Sequence, residues 1–143
     1  MTTEPSTEVR AAFLLLGEGV VPDTISQRLS LVPTKTWRRG APRIRGSRLR
    51  HATDGWAIET QPERALDMGA HVRRLLETVH PLAGPIRDLC GELRLTAEIE
   101  CIARVAGHGA PEPPILFFDE DAVVRIADLG ASVDVDINFV AAL

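Results

Sequence analysis

A basic stretch from Trp37 to Trp56 constrains the fold of this chain most strongly. Its centre, RIRGSRLR at residues 43–50, is nearly the same in both directions about Gly46-Ser47. Glycine followed by a small polar residue suits the two-residue turn of a β-hairpin, because glycine supplies the positive φ that a type II′ turn needs first. The pattern therefore predicts two antiparallel strands joined at Gly46 and Ser47. We call residues 37–56 the arginine ribbon.

This predicted turn also fixes the residue pairs of the arginine ribbon. Arg43 should lie opposite Arg50, and Trp37 opposite Trp56 as a stabilising aromatic pair. Like charges directly opposite each other are unfavourable, so solvent, acidic side chains or a bound anion must compensate the arginines. Arginine binds carboxylate and phosphate groups through paired hydrogen bonds. The candidate binding residues are Arg38, Arg39, Arg43, Arg45, Arg48 and Arg50.

The net charge of −4 conceals a strong segregation of charge. No acidic residue lies between Asp23 and Asp54, although eight of the 16 basic residues do, so the rest of the chain carries −12. Such asymmetry often marks an interaction surface. Alternatively, the ribbon packs against the protein's own acidic strand faces. The acidic residues concerned are Glu98, Glu100, Asp134 and Asp136.

The length of 143 residues fits one domain, which we expect to span residues 9–143 after a frayed end at residues 1–8. No apolar run reaches the roughly 20 residues that cross a bilayer, and the polar N-terminus lacks the features of a signal peptide. We therefore expect a cytoplasmic protein without membrane contact. Cys90 and Cys101 lie among apolar neighbours and are predicted to be structural thiols.

Apolar periodicity predicts the remaining elements. Strands are expected over residues 9–16, 95–106, 115–118 and 132–139, the last with Val133, Val135, Ile137 and Phe139 facing inward. Helices are expected over residues 22–29, 62–80, 82–93 and 119–129, the second of them opened by a capping box at residues 60–63. Pro33 closes the region of the first helix, and Gly130 ends the last one. These elements predict an α+β sandwich, in which helices pack on a mostly antiparallel or mixed sheet and the ribbon protrudes as a basic hairpin.

Several patterns that suggest chemistry lack the residues that it needs. Asp134, Asp136 and Asn138 match the start of a calcium loop, but Phe139 stands where that loop needs glycine. Glu98 and Glu100 share one strand face, where exposure to solvent would not separate their pKa values for acid–base catalysis. The histidine and cysteine spacings fit no zinc site. We predict no catalytic residue, no metal and no cofactor.

The order of several short motifs resembles a known family. After the first strand come P-D-x-I-S, L-x-L-x-P-T with a basic stretch, G-W-x-I, an L-L helix and L-G-A-x-V-D-V-D-I. This order resembles the bacterial family catalogued as domain of unknown function 4279 (DUF4279). The matched positions are Phe13, Pro22, Asp23, Ile25, Leu29, Pro33, Gly40, Gly55, Trp56, Ile58, Leu75, Leu76, Leu129, Gly130, Asp134 and Asp136. Ser30 departs from the family pattern, which has glycine before the proline, and Asn138 replaces an aromatic residue. The resemblance implies a small α+β protein with no assigned activity and no family catalytic residues.

Three hypotheses for the function follow from the arginine ribbon. The first is a non-enzymatic module that binds an acidic protein partner. The second is binding of nucleic acid by the same ribbon, which the negative net charge disfavours. The third is an enzyme with an anion site, which predicts a pocket where the ribbon meets the loop near Gly17. The sequence does not indicate the oligomeric state.

Overall fold

Five strands form one mixed sheet. They are β1 (Glu8–Gly17), β2 (Lys35–Trp37), β3 (Asp54–Glu59), β4 (Thr96–Ala106) and β5 (Ser132–Val140), in the order β2-β3-β1-β4-β5. All neighbouring strands are antiparallel except β4 and β5, which are parallel. The structure, a computed structural model, describes residues 7–43, 50–64, 66–106 and 113–140. The predicted α+β class with a mixed sheet is confirmed.

The helices form a layer on one face of this sheet. They are α1 (Pro22–Leu29), α2 (Met68–Val79), a 3₁₀ turn (His80–Leu82), α3 (Ala83–Leu93) and α4 (Glu120–Asp128). Each α-helix buries an apolar stripe against the inward side chains of β1, β3 and β4, as amphipathic helices do. The helix α2 lies over β1 and β4, and α4 packs on α2 and the 3₁₀ turn. The described helix layer therefore covers the centre of the sheet.

The strand β1 lies in the middle of the sheet, between β3 and β4. Phe13 and Leu15 are fully buried under the helices, and Leu14 is buried on the opposite face. An interior strand is expected to be apolar on both faces, and this prediction for residues 9–16 is confirmed. We call the side of the sheet away from the helices the open face.

The predicted start of the second helix is wrong. Residues 60–63 form no capping box, because the main chain of Glu63 pairs with Val9 in both directions, at 2.9 and 3.1 Å. The hydroxyl of Thr60 instead accepts a hydrogen bond from the N–H of Ala11 at 3.0 Å. The chain thus stays extended past β3, and α2 begins at Met68 with Asp67 as its cap.

Two predictions at the C-terminal end also need correction. Residues 115–118 form no strand, because only Ile115 pairs, in a single bridge with Asp67. The inward row of β5 faces the helix side but is not buried. Its four side chains are 43–77% exposed, because α2 lies over β1 and β4 and α4 packs on α2. The members of this row are Val133, Val135, Ile137 and Phe139.

The predicted ends of two helices are confirmed. The cap of α1 is Ser30, with φ +53°, and Pro33 follows in the connection to β2. Gly130 follows α4 with φ +66°, and the carboxylate of Asp119 accepts a hydrogen bond from Ala122 at its start, at 2.8 Å.

The two thiols are free in the structure. Cys101 is fully buried and Cys90 is half-buried. Burial raises the pKa of the Cys101 thiol to about 12, so it is protonated at neutral pH.

Candidate functional site

The base of the arginine ribbon is an antiparallel pair, but its register differs from the prediction by one residue. Trp37 lies opposite Gly55, and Trp56 lies opposite Thr36. The predicted tryptophan pair is therefore wrong. Successive side chains of a strand point to opposite faces, so the shift sends the two indoles to opposite sides of the sheet.

The same shift continues toward the tip of the ribbon. The carbonyl of His51 accepts a hydrogen bond from Gly40, while the N–H of His51 donates to the carbonyl of Ala41. Pro42 then pairs with Arg50, so the predicted pair of Arg43 and Arg50 is wrong. Proline lacks the N–H that a regular ladder needs, which fits its position in an isolated bridge. The tip residues Arg45, Gly46, Ser47 and Arg48 lie outside the described residues, and so does the predicted protrusion.

Each tryptophan fixes one face of the ribbon base. Trp56 is fully buried under the helices, and its Nε1–H donates to Ser26 Oγ at 3.1 Å. Trp37 lies on the open face and stacks on His51, with ring centroids 4.5 Å apart. Its indole covers Gly55, where any Cβ would collide with the ring. One indole therefore packs on each face of the sheet at the ribbon base.

Asp54 is a residue of this region that sequence analysis missed. One carboxylate oxygen accepts from the N–H of Arg39 at 2.7 Å, and the other accepts from Gly19 and Val20 at 3.0 and 3.2 Å. These hydrogen bonds, of which that from Arg39 is strongest, hold the pKa of Asp54 below its usual range. The carboxylate joins the loop after β1 to the arginine ribbon.

The described arginines of the ribbon are exposed. The guanidinium groups of all four have no carboxylate oxygen within 4.0 Å among the residues that the structure describes. The four arginines are Arg38, Arg39, Arg43 and Arg50. Five arginines elsewhere form ion pairs with an acidic residue. They are Arg10, Arg28, Arg73, Arg74 and Arg125. Within the described part of the chain, these ribbon guanidinium groups are therefore exposed and form no ion pair.

An acidic cluster lies on the open face of β4 and β5. One carboxylate oxygen of each of Glu98, Glu100 and Asp134 lies within 4.8 Å of the others. Burial, and then the neighbouring charges of Asp134 and Glu100, raise the pKa of Glu98. The two glutamates are half-buried, so the strand face that the sequence predicted to be exposed is partly covered. Three carboxylate oxygens suit a hard cation, but they supply at most half of the roughly six to eight ligands of calcium.

The arginine ribbon and the acidic cluster are electrostatically coupled. Burial raises the pKa of Glu100, while the positive charges of Arg10 and Arg43 partly oppose this shift. Arg10 is itself paired with Glu59, at 3.2 Å. Arg43 therefore lies near the acidic cluster without a direct ion pair among the described residues.

Two other features of the structure bear on chemistry. His71 is fully buried, with Nδ1 2.7 Å from the hydroxyl of Thr60 and with no described partner for Nε2. A cavity of about 320 Å³ lies between the end of α3 and the start of β4, with Cys90 and Leu129 in its wall. It lies away from the arginine ribbon, so it does not provide the pocket that the enzyme hypothesis predicts.

These features define an α+β protein with a basic ribbon and an acidic sheet face. The family model described as "Domain of unknown function (DUF4279)" matches residues 7–140. The chain belongs to this family, and the resemblance seen in the sequence is confirmed. No curated protein and no solved structure matches the chain. Among the residues described, no helix is long and apolar enough to cross a membrane.

Proposed function

We propose that this protein is a non-catalytic interaction module whose arginine ribbon binds an acidic surface of a protein partner. The main support is the exposure of Arg38, Arg39, Arg43 and Arg50 without an ion pair to a described acid. Guanidinium groups bind carboxylates in a bidentate manner, so such a surface favours acidic side chains.

Contacts within the chain hold the base of the ribbon without a partner. Asp54 holds the main chain of Arg39, and the stack of Trp37 on His51 holds the opposite strand. A preorganised surface loses less conformational entropy on binding than a flexible one. This order supports a binding role for the ribbon.

Fluorescence anisotropy with a labelled polyglutamate peptide tests the proposal. Replacing Arg43, Arg45, Arg48 and Arg50 by alanine should weaken binding at least about tenfold. Lysine at the same four positions keeps the charge but loses the bidentate geometry, and should give an intermediate affinity. The matched control removes four arginines outside the ribbon and should retain binding. It carries alanine at Arg64, Arg87, Arg94 and Arg104.

Equal affinity of the alanine variant and the native protein would refute the proposal. Duplex DNA and single-stranded RNA serve as competing probes in the same assay. Tighter, salt-sensitive binding of either one would favour the alternative of nucleic-acid binding. The net charge of −4 is the reason for ranking that alternative second.

A further inference from the structure

The outer edge of β5 is open in the described part of the chain. This strand of nine residues, Ser132–Val140, hydrogen-bonds β4 alone, and the two strands stay in register from Glu98 to Ala106 without a bulge. Its sequence contains no proline, lysine or arginine, and its two charged residues, Asp134 and Asp136, both project from the open face. Edge strands usually carry proline, lysine or bulges, because unpaired main-chain groups attract further strands. The edge of β5 is therefore suited to accept another strand.

The helix-side row of β5 offers an apolar surface to such a strand. Val133 and Val135 are each 44% exposed, Ile137 is 43% exposed and Phe139 is 77% exposed. On the neighbouring strand β4, the residues beside them are almost completely buried. An added strand with apolar residues on this side would extend the buried surface of the sheet and gain hydrophobic stabilisation.

The row of β5 side chains on the open face is acidic, in contrast to the apolar row on the helix side. Asp134 lies opposite Glu100, and Asp136 projects from the same face opposite Ile102. No described cation lies within 4.0 Å of either aspartate. Basic side chains on the open face of an added strand would lie across from these aspartates, and opposite charges at such positions stabilise the pairing.

From these two rows we propose that the β5 edge binds an extended segment of another protein in which basic and apolar residues alternate. Main-chain hydrogen bonds would give affinity, and the two rows would select the sequence, as in other cases of strand addition. A second copy of this chain fits less well. Two β5 strands related by a two-fold axis would place their aspartate rows on the same face, where like charges repel.

A labelled synthetic peptide in which lysine and valine alternate over the length of β5 tests this proposal by fluorescence anisotropy. Asp134→Asn with Asp136→Asn should weaken binding about tenfold. The matched control, Glu18→Gln with Glu77→Gln, removes the same charge from exposed positions outside β4 and β5 and should bind normally. Phe139→Ser should also weaken binding, and it provides a second measurement if the double aspartate variant does not fold. Hydrogen exchange should show new protection within β5 when the peptide is bound.

Two further peptides distinguish strand addition from simple charge attraction. One replaces every lysine by glutamate and should not bind. The other has the same composition with its lysines and valines in separate blocks, and equal binding of this peptide would overturn the proposal. Sedimentation of the native protein tests whether a second copy of this chain occupies the edge instead. A dimer that Val135→Asp dissociates would assign the edge to a second copy and would likewise overturn the proposal.

Discussion

Ser30 ends α1 in a conformation that suits glycine. Its φ is +53°, in the left-handed region, and the N–H groups of Ser30 and Leu31 bond back to carbonyls of α1. A residue with a Cβ pays about 1 kcal/mol or more for this conformation, whereas glycine does not. The glycine that the sequence resemblance implies at this position would therefore have a direct physical reason.

Ser30→Gly should raise the free energy of unfolding by about 1 kcal/mol, because it relieves this backbone strain. Urea unfolding followed by circular dichroism measures the effect. The control is Ser132→Gly in β5, where the backbone is extended and glycine should destabilise the protein. Equal effects at the two positions would show that the left-handed conformation of Ser30 carries no cost.

Asp54 shows a limit of sequence analysis at the level of single residues. Its three hydrogen-bond donors are main-chain N–H groups of Gly19, Val20 and Arg39. Sequence motifs are recognised from side chains. They do not indicate which main-chain N–H groups bind a carboxylate, because every residue except proline has such a group. The sequence predicted the loop near Gly17 and the basic stretch near Arg39, but not the carboxylate that joins them.

Among the elements, local periodicity predicted most helices and strands, while pairing between strands required the structure. The pattern of residues 22–29 predicted α1 with its observed bounds. The capping box failed because Glu63 pairs with Val9, a residue far away in the sequence.

The predicted register of the ribbon failed because Pro42, and not Arg43, lies opposite Arg50, so the pairing is already shifted by one residue next to the tip. A shift of the strand pairing by one residue moves the paired side chains to opposite faces of the sheet. The predicted pair of Trp37 and Trp56 failed for this reason.

The acidic cluster allows a prediction for β4. The folded protein raises the pKa of Glu98 and Glu100 above the value of 4.5 for a free glutamate, mainly through burial. Above the pKa that they have in the folded protein, the two glutamates are charged and lower the free energy of unfolding. This loss of stability disappears as the pH falls toward 4.5, because both groups become protonated. Glu98→Gln with Glu100→Gln should raise the melting temperature at pH 7, and the gain should shrink in acid.

Thermal unfolding at several pH values measures this effect. Glu92→Gln is the control, because ion pairing with Arg28 lowers the pKa of Glu92 and its removal should give no gain. A loss of stability in the double glutamine variant at pH 7 would instead show that Arg10 and Arg43 more than compensate the two charges.

For the whole molecule, the segregation of charge in the sequence corresponds to two separate surfaces. The described arginines of the ribbon are exposed, and four acidic residues lie on the open face of β4 and β5, namely Glu98, Glu100, Asp134 and Asp136. Arg43 connects the two, because its charge acts on Glu100. The order of the charged residues along the sequence predicted the asymmetry. It could not predict that β5 would be an edge strand, because strand order depends on long-range packing.

His71 connects the helix layer to the sheet, and we expect it to control how the stability of the protein changes with pH. Burial, reinforced by the charge of Arg74, lowers the pKa of this histidine below its usual value of 6.5. A group whose folded pKa is lowered gives its full stability above its unfolded pKa and loses it as the pH falls through the folded pKa. The free energy of unfolding should therefore fall as the pH drops below 6.5.

Urea unfolding between neutral and mildly acidic pH checks this expectation. His71→Phe removes the titrating group, so the fall in stability with acid should be smaller than in the native protein. Thr60→Val serves as the control, because it removes the 2.7 Å partner of Nδ1 but keeps the burial that is the main cause of the shift. The acid sensitivity should persist in that variant. If His71→Phe keeps the full native dependence on pH, another group, such as His51 with its similarly lowered pKa, controls the acid response.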